Sequence, residues 1–162
     1  MTDWIDRLAE SAQKQAAGRR TQEELRLHKI KIINAKAPEF WDTVLEKLRT
    51  DSAKLRDSFP NDRSRQCDLI KAGIDWQIQG CKLPFHILNM HLNVDGHCID
   101  IDESVRESRD RVVKSAHDQI SIAVNSDEEL EFRYRGRVHT TPDSLAQHLI
   151  SYVCDIREFG EV

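Results

Sequence analysis

The chain has 162 residues, 39% hydrophobic and 32% charged, with a formal net charge of −4. This composition suits one soluble domain with its own core and argues against a disordered tail, a disulfide scaffold or a polyanion binder acting through overall charge. No run approaches the roughly 20 apolar residues of a membrane span. The acidic start Thr2-Asp3-Trp4-Ile5-Asp6 also lacks the basic and apolar regions of a signal peptide. No membrane partner and a cytoplasmic location are therefore expected, with Cys67, Cys81, Cys98 and Cys154 reduced.

Residues 1–36 read as an extended helix, mobile or oligomerising. Ala, Gln, Glu, Lys and Arg dominate it, and all are good helix formers. The stretch from Ser11 to Gly18 has almost no large apolar side chain and can bury little by itself. Pro38 removes a backbone donor, so the pattern predicts a break there and a second, core-packed helix over 38–59. Trp41, Val44, Leu45, Leu48, Leu55 and Phe59 carry its buried stripe, and Pro60-Asn61-Asp62 stops it.

The period then falls to two. Ile70, Ala72, Ile74, Trp76 and Ile78 predict one long half-buried strand, ended by the turn Gly80-Cys81-Lys82. The run Leu83 to Val94 is also strand, but its apolar phase slips, which predicts a β-bulge near Ile87-Leu88. Asp95-Gly96 signals a type I′ hairpin that sets Val94 opposite His97, Leu92 opposite Ile99 and Met90 opposite Ile101. Asn93–Cys98, His91–Asp100 and Asn89–Asp102 then fall on the other face. The charged stretch 103–117 is expected to be a loop with a short helix. Ile120, Ile122 and Val124 pair, across Asn125-Ser126-Asp127-Glu128, with Leu130, Phe132 and Tyr134, and Gly136 ends or bulges that strand.

Thr141-Pro142-Asp143 opens a last helix, 141–156, with Leu145, Leu149, Tyr152 and Val153 buried and Ile156 extending that face. The fold class is α+β, in one domain over 1–162. N-terminal helices precede a roughly five-stranded antiparallel meander at 66–138, helices cover one face of it, and a C-terminal helix closes the chain.

No motif fixes a reaction. The phosphate loop, the GxSxG elbow and the dinucleotide fingerprint are all missing, so no cofactor is expected and the chain leans away from being an enzyme. Three groups could still carry function. The outer face of the hairpin gathers His91, Asp100 and Cys98 as catalytic candidates. With His86 and Asp102 these are also the candidate metal ligands, because a His beside an Asp suits a general base and N, S and carboxylate donors suit zinc. A merely solvated sheet face is the preferred reading. The basic helix 14–36 could track phosphates, yet it has no aromatic residue to stack on bases, so nucleic acid is disfavoured as a partner. Arg133, Arg135 and Arg137 alternate as an anion or partner patch, with local ion pairs as the simpler reading.

Cys81 is expected to be the most exposed thiol, and His28 to pack beside Leu25 and Ile32. The leading expectation is a non-enzymatic interaction module that forms a homodimer. Its N-terminal helices would pack antiparallel and bury Ile30 or Ile33 between subunits. A metal-binding or hydrolase-type site on His91, Asp100 and Cys98 and a nucleic-acid site on the basic helix are the alternatives.

Overall fold

The computed structural model describes residues 3–154. Helix α1 spans Trp4–Ser58, and a short 3₁₀ turn at Arg63–Arg65 leads into the sheet. The strands are β1 (Cys67–Ala72), β2 (Asp75–Gly80), β3 (Phe85–Asn93), β4 (Cys98–Ser108), β5 (Arg111–Val124), β6 (Leu130–Tyr134) and β7 (Arg137–His139), followed by helix α2 (Pro142–Cys154). All seven strands pair antiparallel in sequence order, a simple meander. The class is the expected α+β, with seven strands rather than about five. Among the described residues no helix is long and apolar enough to cross a membrane.

The helix does not break at Pro38. It runs as one rod of 55 residues with Pro38 inside it. Proline forfeits the hydrogen bond to the carbonyl four residues back, here that of Asn34, which is exposed and can be satisfied by water. Packing on both sides of the proline offsets the loss. Ile33 and Ala37 before it, and Trp41, Val44, Leu45 and Leu48 after it, are all buried.

The second half of α1 and all of α2 lie side by side on one face of the sheet. Their stripes meet Ile78, Leu88, Met90, Ile99, Ile101, Ile120 and Phe132 in one continuous core. Phe40 stacks on Phe132 with ring centroids 4.1 Å apart, a contact worth about 1 kcal/mol beyond its area. Helix α2 begins as its sequence dictates. The Thr141 hydroxyl accepts from the Ser144 N–H at 3.2 Å, and Pro142 occupies the first turn. Leu145, Leu149 and Val153 are buried and Tyr152 is half-buried, while Ile156 lies outside the described residues.

Two turns reset the expected sheet. The alternation from Ile70 to Ile78 is two strands joined by Gly73-Ile74, with Ala72 opposite Asp75. Gly73 takes φ 64° at the first loop position, the type II′ arrangement. A two-residue turn reverses which parity faces the core. Leu69, Trp76 and Ile78 therefore pack inward, while Ile70 and Ile74 are exposed. At the other end, Arg135 (φ 49°) and Gly136 (φ 78°) form a type I′ turn that starts β7, a strand the sequence reading missed.

The hairpin of β3 and β4 has the expected register, with Leu92 opposite Ile99, Met90 opposite Ile101 and His91 opposite Asp100. Its turn is of another kind. The left-handed residue is His97 (φ 51°), not Asp95 or Gly96. The His97 N–H donates to the Val94 carbonyl at 3.1 Å, and the Asn93 side chain accepts from the Gly96 N–H at 2.9 Å. There is no bulge at Ile87-Leu88. The register runs unbroken from Phe85 to Asn93, and the phase slip has a different cause. Leu88 is buried under the helices, and Ile87 is buried on the helix-free face.

Residues 103–117 are strand rather than loop and helix. β4 and β5 extend together into a long arm that turns at Arg109-Asp110. Glu103 and Val105 are buried at its base and most of the charged side chains beyond them stand in solvent, so backbone pairing rather than an apolar period defines the strands there.

Candidate functional site

The hairpin face does not assemble as its residues suggest. His91 and Asp100 are register partners, yet the His91 Nδ1 lies 2.7 Å from Asp75 of β2. Because β3 carries no bulge, His86 stays on the helix-covered face. Its ring meets Tyr152 edge-on at 6.1 Å, and its Nδ1 is buried without a hydrogen-bond partner. Cys98 is buried at the base of the face and donates weakly to Asp100 at 3.6 Å. Burial and then the Asp100 charge push its thiol pKa up, which disfavours a thiolate nucleophile.

The histidine that does join these carboxylates is His117, from the stretch expected to be a loop. Its Nδ1 is 2.9 Å from Asp102 and its Nε2 is 3.9 Å from Asp100. The hydrogen bond to Asp102, followed by the charges of Asp102, Asp100 and Asp118, raises its pKa. Only correct placement of β5 could have revealed it, and the sparse apolar residues there hid the strand. The group is open to solvent, which suits a surface ion pair better than a water-excluding reaction centre. Among the described residues, no three His, Cys, Asp or Glu side chains converge to hold a metal ion. The set His86, His91, Cys98, Asp100 and Asp102 is thus divided between two faces and several partners.

The arginine row is divided too. Arg133 lies on the helix-free face and pairs with Glu131 at 3.3 Å. Arg137 sits opposite Tyr134 on the edge strand, toward the other face. Arg135, held in the left-handed turn, reaches Glu103 at 2.8 Å and Asp118 at 3.5 Å and covers the Tyr152 ring. Glu103 is almost fully buried and also accepts a hydrogen bond from the Tyr152 hydroxyl. This cluster fastens α2 to the sheet. Beyond it, His139 bonds Ser144 at 2.6 Å and His148 at 2.8 Å. Burial, then the neighbouring His139, Arg137 and Arg135 charges, pull the His148 pKa down to about 4.

The thiols hold no surprise of reactivity. All four cysteines are free. Cys81 is half-buried, donates to Asp68 at 3.5 Å, and has its pKa pushed up by burial.

The largest feature left without an intramolecular role is the first half of α1. Every residue from Asp3 to Lys29 is exposed, about 40 Å of helix at 1.5 Å per residue. Trp4, Ile5 and Leu8 stand on one face of the tip with 67%, 53% and 59% of their surface open, and Leu25 and Leu27 add apolar surface near the root. His28 is exposed rather than packed and pairs with Glu128 at 2.8 Å. Lys36 donates to the Glu128 carbonyl at 3.3 Å, so the β5–β6 turn grips the root of the arm. Ile33, expected between subunits, is buried in its own domain, and Ile30 is half-buried.

Charge is segregated along the arm. The tip has Asp3, Asp6 and Glu10 against Arg7 alone. Further along, Lys14, Arg19, Arg20, Arg26 and Lys29 outweigh Glu23 and Glu24. Within the arm, Glu10 pairs with Lys14 at 3.4 Å and Glu23 with Arg26 at 2.6 Å. Such exposed pairs are screened by solvent and contribute little to stability.

Compared with protein-family models, curated proteins and solved structures, the chain matches none. Function therefore has to be argued from the arm and the sheet themselves.

Proposed function

We propose that this chain is a non-enzymatic, self-associating module whose α1 arm pairs antiparallel with the arm of a second copy. The observation that carries the reading is the exposure of all 27 residues from Asp3 to Lys29. Helices in proteins draw most of their stability from packing an apolar face, and this stretch packs on nothing among the described residues of its own chain. A partner that covers Trp4, Ile5 and Leu8 stabilises it by roughly 1.5–3 kcal/mol per side chain.

A second copy is the occupant that the charges favour. Antiparallel pairing lays the acidic tip of each arm along the basic root of the other, in a two-fold contact that uses the same surface twice. Parallel pairing would set like charges together along the whole length. The anchored root holds the arm away from the sheet and leaves the tip free to reach a second subunit.

Sedimentation velocity on the full chain, across micromolar concentrations, tests the reading. The native protein should sediment as a dimer, and Leu8→Asp should shift it to monomer while leaving the sheet domain folded. Weakening of the dimer by added salt is also expected, because the tip and root charges are exposed. A native monomer throughout, or a dimer indifferent to Leu8→Asp, would overturn the proposal.

A further inference from the structure

Away from the arm, a cleft of about 640 Å³ opens where the end of α1, the 3₁₀ turn and the ends of β2 and β4 come together. That is an ordinary size for a small-molecule site. Four arginines line it: Arg56 from α1, Arg63 from the 3₁₀ turn, Arg106 from β4, and Arg109 from the turn after β4. Among the described residues, Asp68 is the only carboxylate in its wall. Asp68 is already engaged by the Arg56 guanidinium and by the Cys81 thiol.

Among the described residues, Arg63, Arg106 and Arg109 make no ion pair. The Arg106 Nε is moreover buried without any hydrogen-bond partner. Elsewhere in this protein, semi-buried arginine is neutralised: Arg135 meets both Glu103 and Asp118. Unopposed guanidinium groups gathered around one concavity repel one another, and a buried N–H without an acceptor is destabilising. Both terms are relieved by an anion with several acceptor oxygens. Arg56 and Arg106 sit on α1 and β4, which are anchored in the core, and Arg63 and Arg109 reach the cleft from turns. Its lining is polar for the most part, with one apolar patch. Phe85 and Ile87 form it, and Ile87 is the residue buried on the helix-free face that produced the phase slip in β3.

We propose that this cleft binds a small phosphorylated molecule, with Arg63, Arg106 and Arg109 on the phosphate and an apolar or aromatic portion against Phe85 and Ile87. Guanidinium forks match phosphate oxygens two at a time. Three positive charges without an ion-pair partner among the described residues favour a dianionic group over a single carboxylate. A concavity formed where six chain segments converge favours a small molecule over a polymer backbone, which tracks elongated grooves.

Titration calorimetry on the full chain at fixed ionic strength tests the site, with phenyl phosphate, inorganic pyrophosphate, inorganic phosphate and citrate as probes. Phenyl phosphate is expected to bind more tightly than inorganic phosphate because of the apolar patch at Phe85 and Ile87, and pyrophosphate more tightly than citrate. Arg63→Gln and Arg106→Gln should each weaken phenyl phosphate roughly tenfold or more. Arg109→Gln, in an exposed turn that tolerates change, should do so with an unaltered melting temperature, so loss of binding cannot be loss of fold. Four outcomes would overturn the assignment: no binding of any phosphate probe at millimolar concentration; native affinity for phenyl phosphate retained in all three variants; citrate binding as tightly as pyrophosphate; or a single-stranded oligonucleotide binding more tightly than any of the phosphate probes.

Discussion

The paired histidines behind α2 make stability depend on pH in a direction the structure fixes. Ser144, His139 and His148 form a chain of hydrogen bonds in which each contact needs one donor and one acceptor. Two neutral rings satisfy it in either direction, and two imidazolium rings cannot, because both facing nitrogens would then carry protons. Burial lowers the pKa of both rings, with Arg137 adding to the effect, and His148 falls from 6.5 to about 4.

A depressed pKa in the folded state means the unfolded chain takes up the proton first. The contribution is complete above pH 6.5 and is lost as pH falls toward 4. For His148 alone the two values give a loss of about 2 kcal/mol by pH 5, reduced to about 1 kcal/mol by solvent screening at a half-buried ring. His148→Gln keeps a hydrogen-bonding group beside His139 and removes the titration. Urea unfolding of both proteins at pH 7 and pH 5 isolates the effect: the native chain should lose about 1 kcal/mol more than the variant on acidification. Equal losses would refute the reasoning, since carboxylates common to both proteins cancel in the comparison.

Other substitutions probe single features. Glu103→Gln removes the buried charge that meets Arg135 and Tyr152 and should cost about 2 kcal/mol in chemical denaturation. Gly80→Ala would set a Cβ 2.4 Å from the Val153 carbonyl oxygen, so α2 must shift, at a cost of about 2–3 kcal/mol read from the melting temperature. Gly18→Ala meets nothing within 4 Å and should raise arm helicity by circular dichroism, with a gain of up to about 1 kcal/mol. Pro38→Ala restores the bond to the Asn34 carbonyl and should stabilise the chain by about 1–3 kcal/mol; unchanged or reduced stability would mean that the surrounding packing requires proline.

The elements with one dominant local signal were legible in the sequence. Thr141-Pro142 announced α2, and the apolar and polar pairing around Asp95-Gly96 set the β3–β4 register. Features decided by competition between local and tertiary terms were not. Pro38 argues locally for a break, and burial of Ile33, Ala37 and Trp41 overrides it. The alternation of Ile70, Ala72 and Ile74 crosses a reversal of the chain unnoticed, because a two-residue turn with glycine leaves no gap in the pattern.

The candidate site suffered most where charge concealed strand. His117 and Arg106 lie on the charged β4–β5 arm, and neither could be placed beside its neighbours until that arm was known to be extended. Arg56 and Arg63 are remote from Arg106 in sequence, so no spacing rule could have joined them.

Native mass spectrometry of the untagged full chain tests the central claim most directly. The account predicts a two-chain ion that persists on dilution into the low micromolar range and collapses to one chain in the Leu8→Asp variant. A single-chain ion at every concentration, with Leu8→Asp indistinguishable from the native protein, would contradict it.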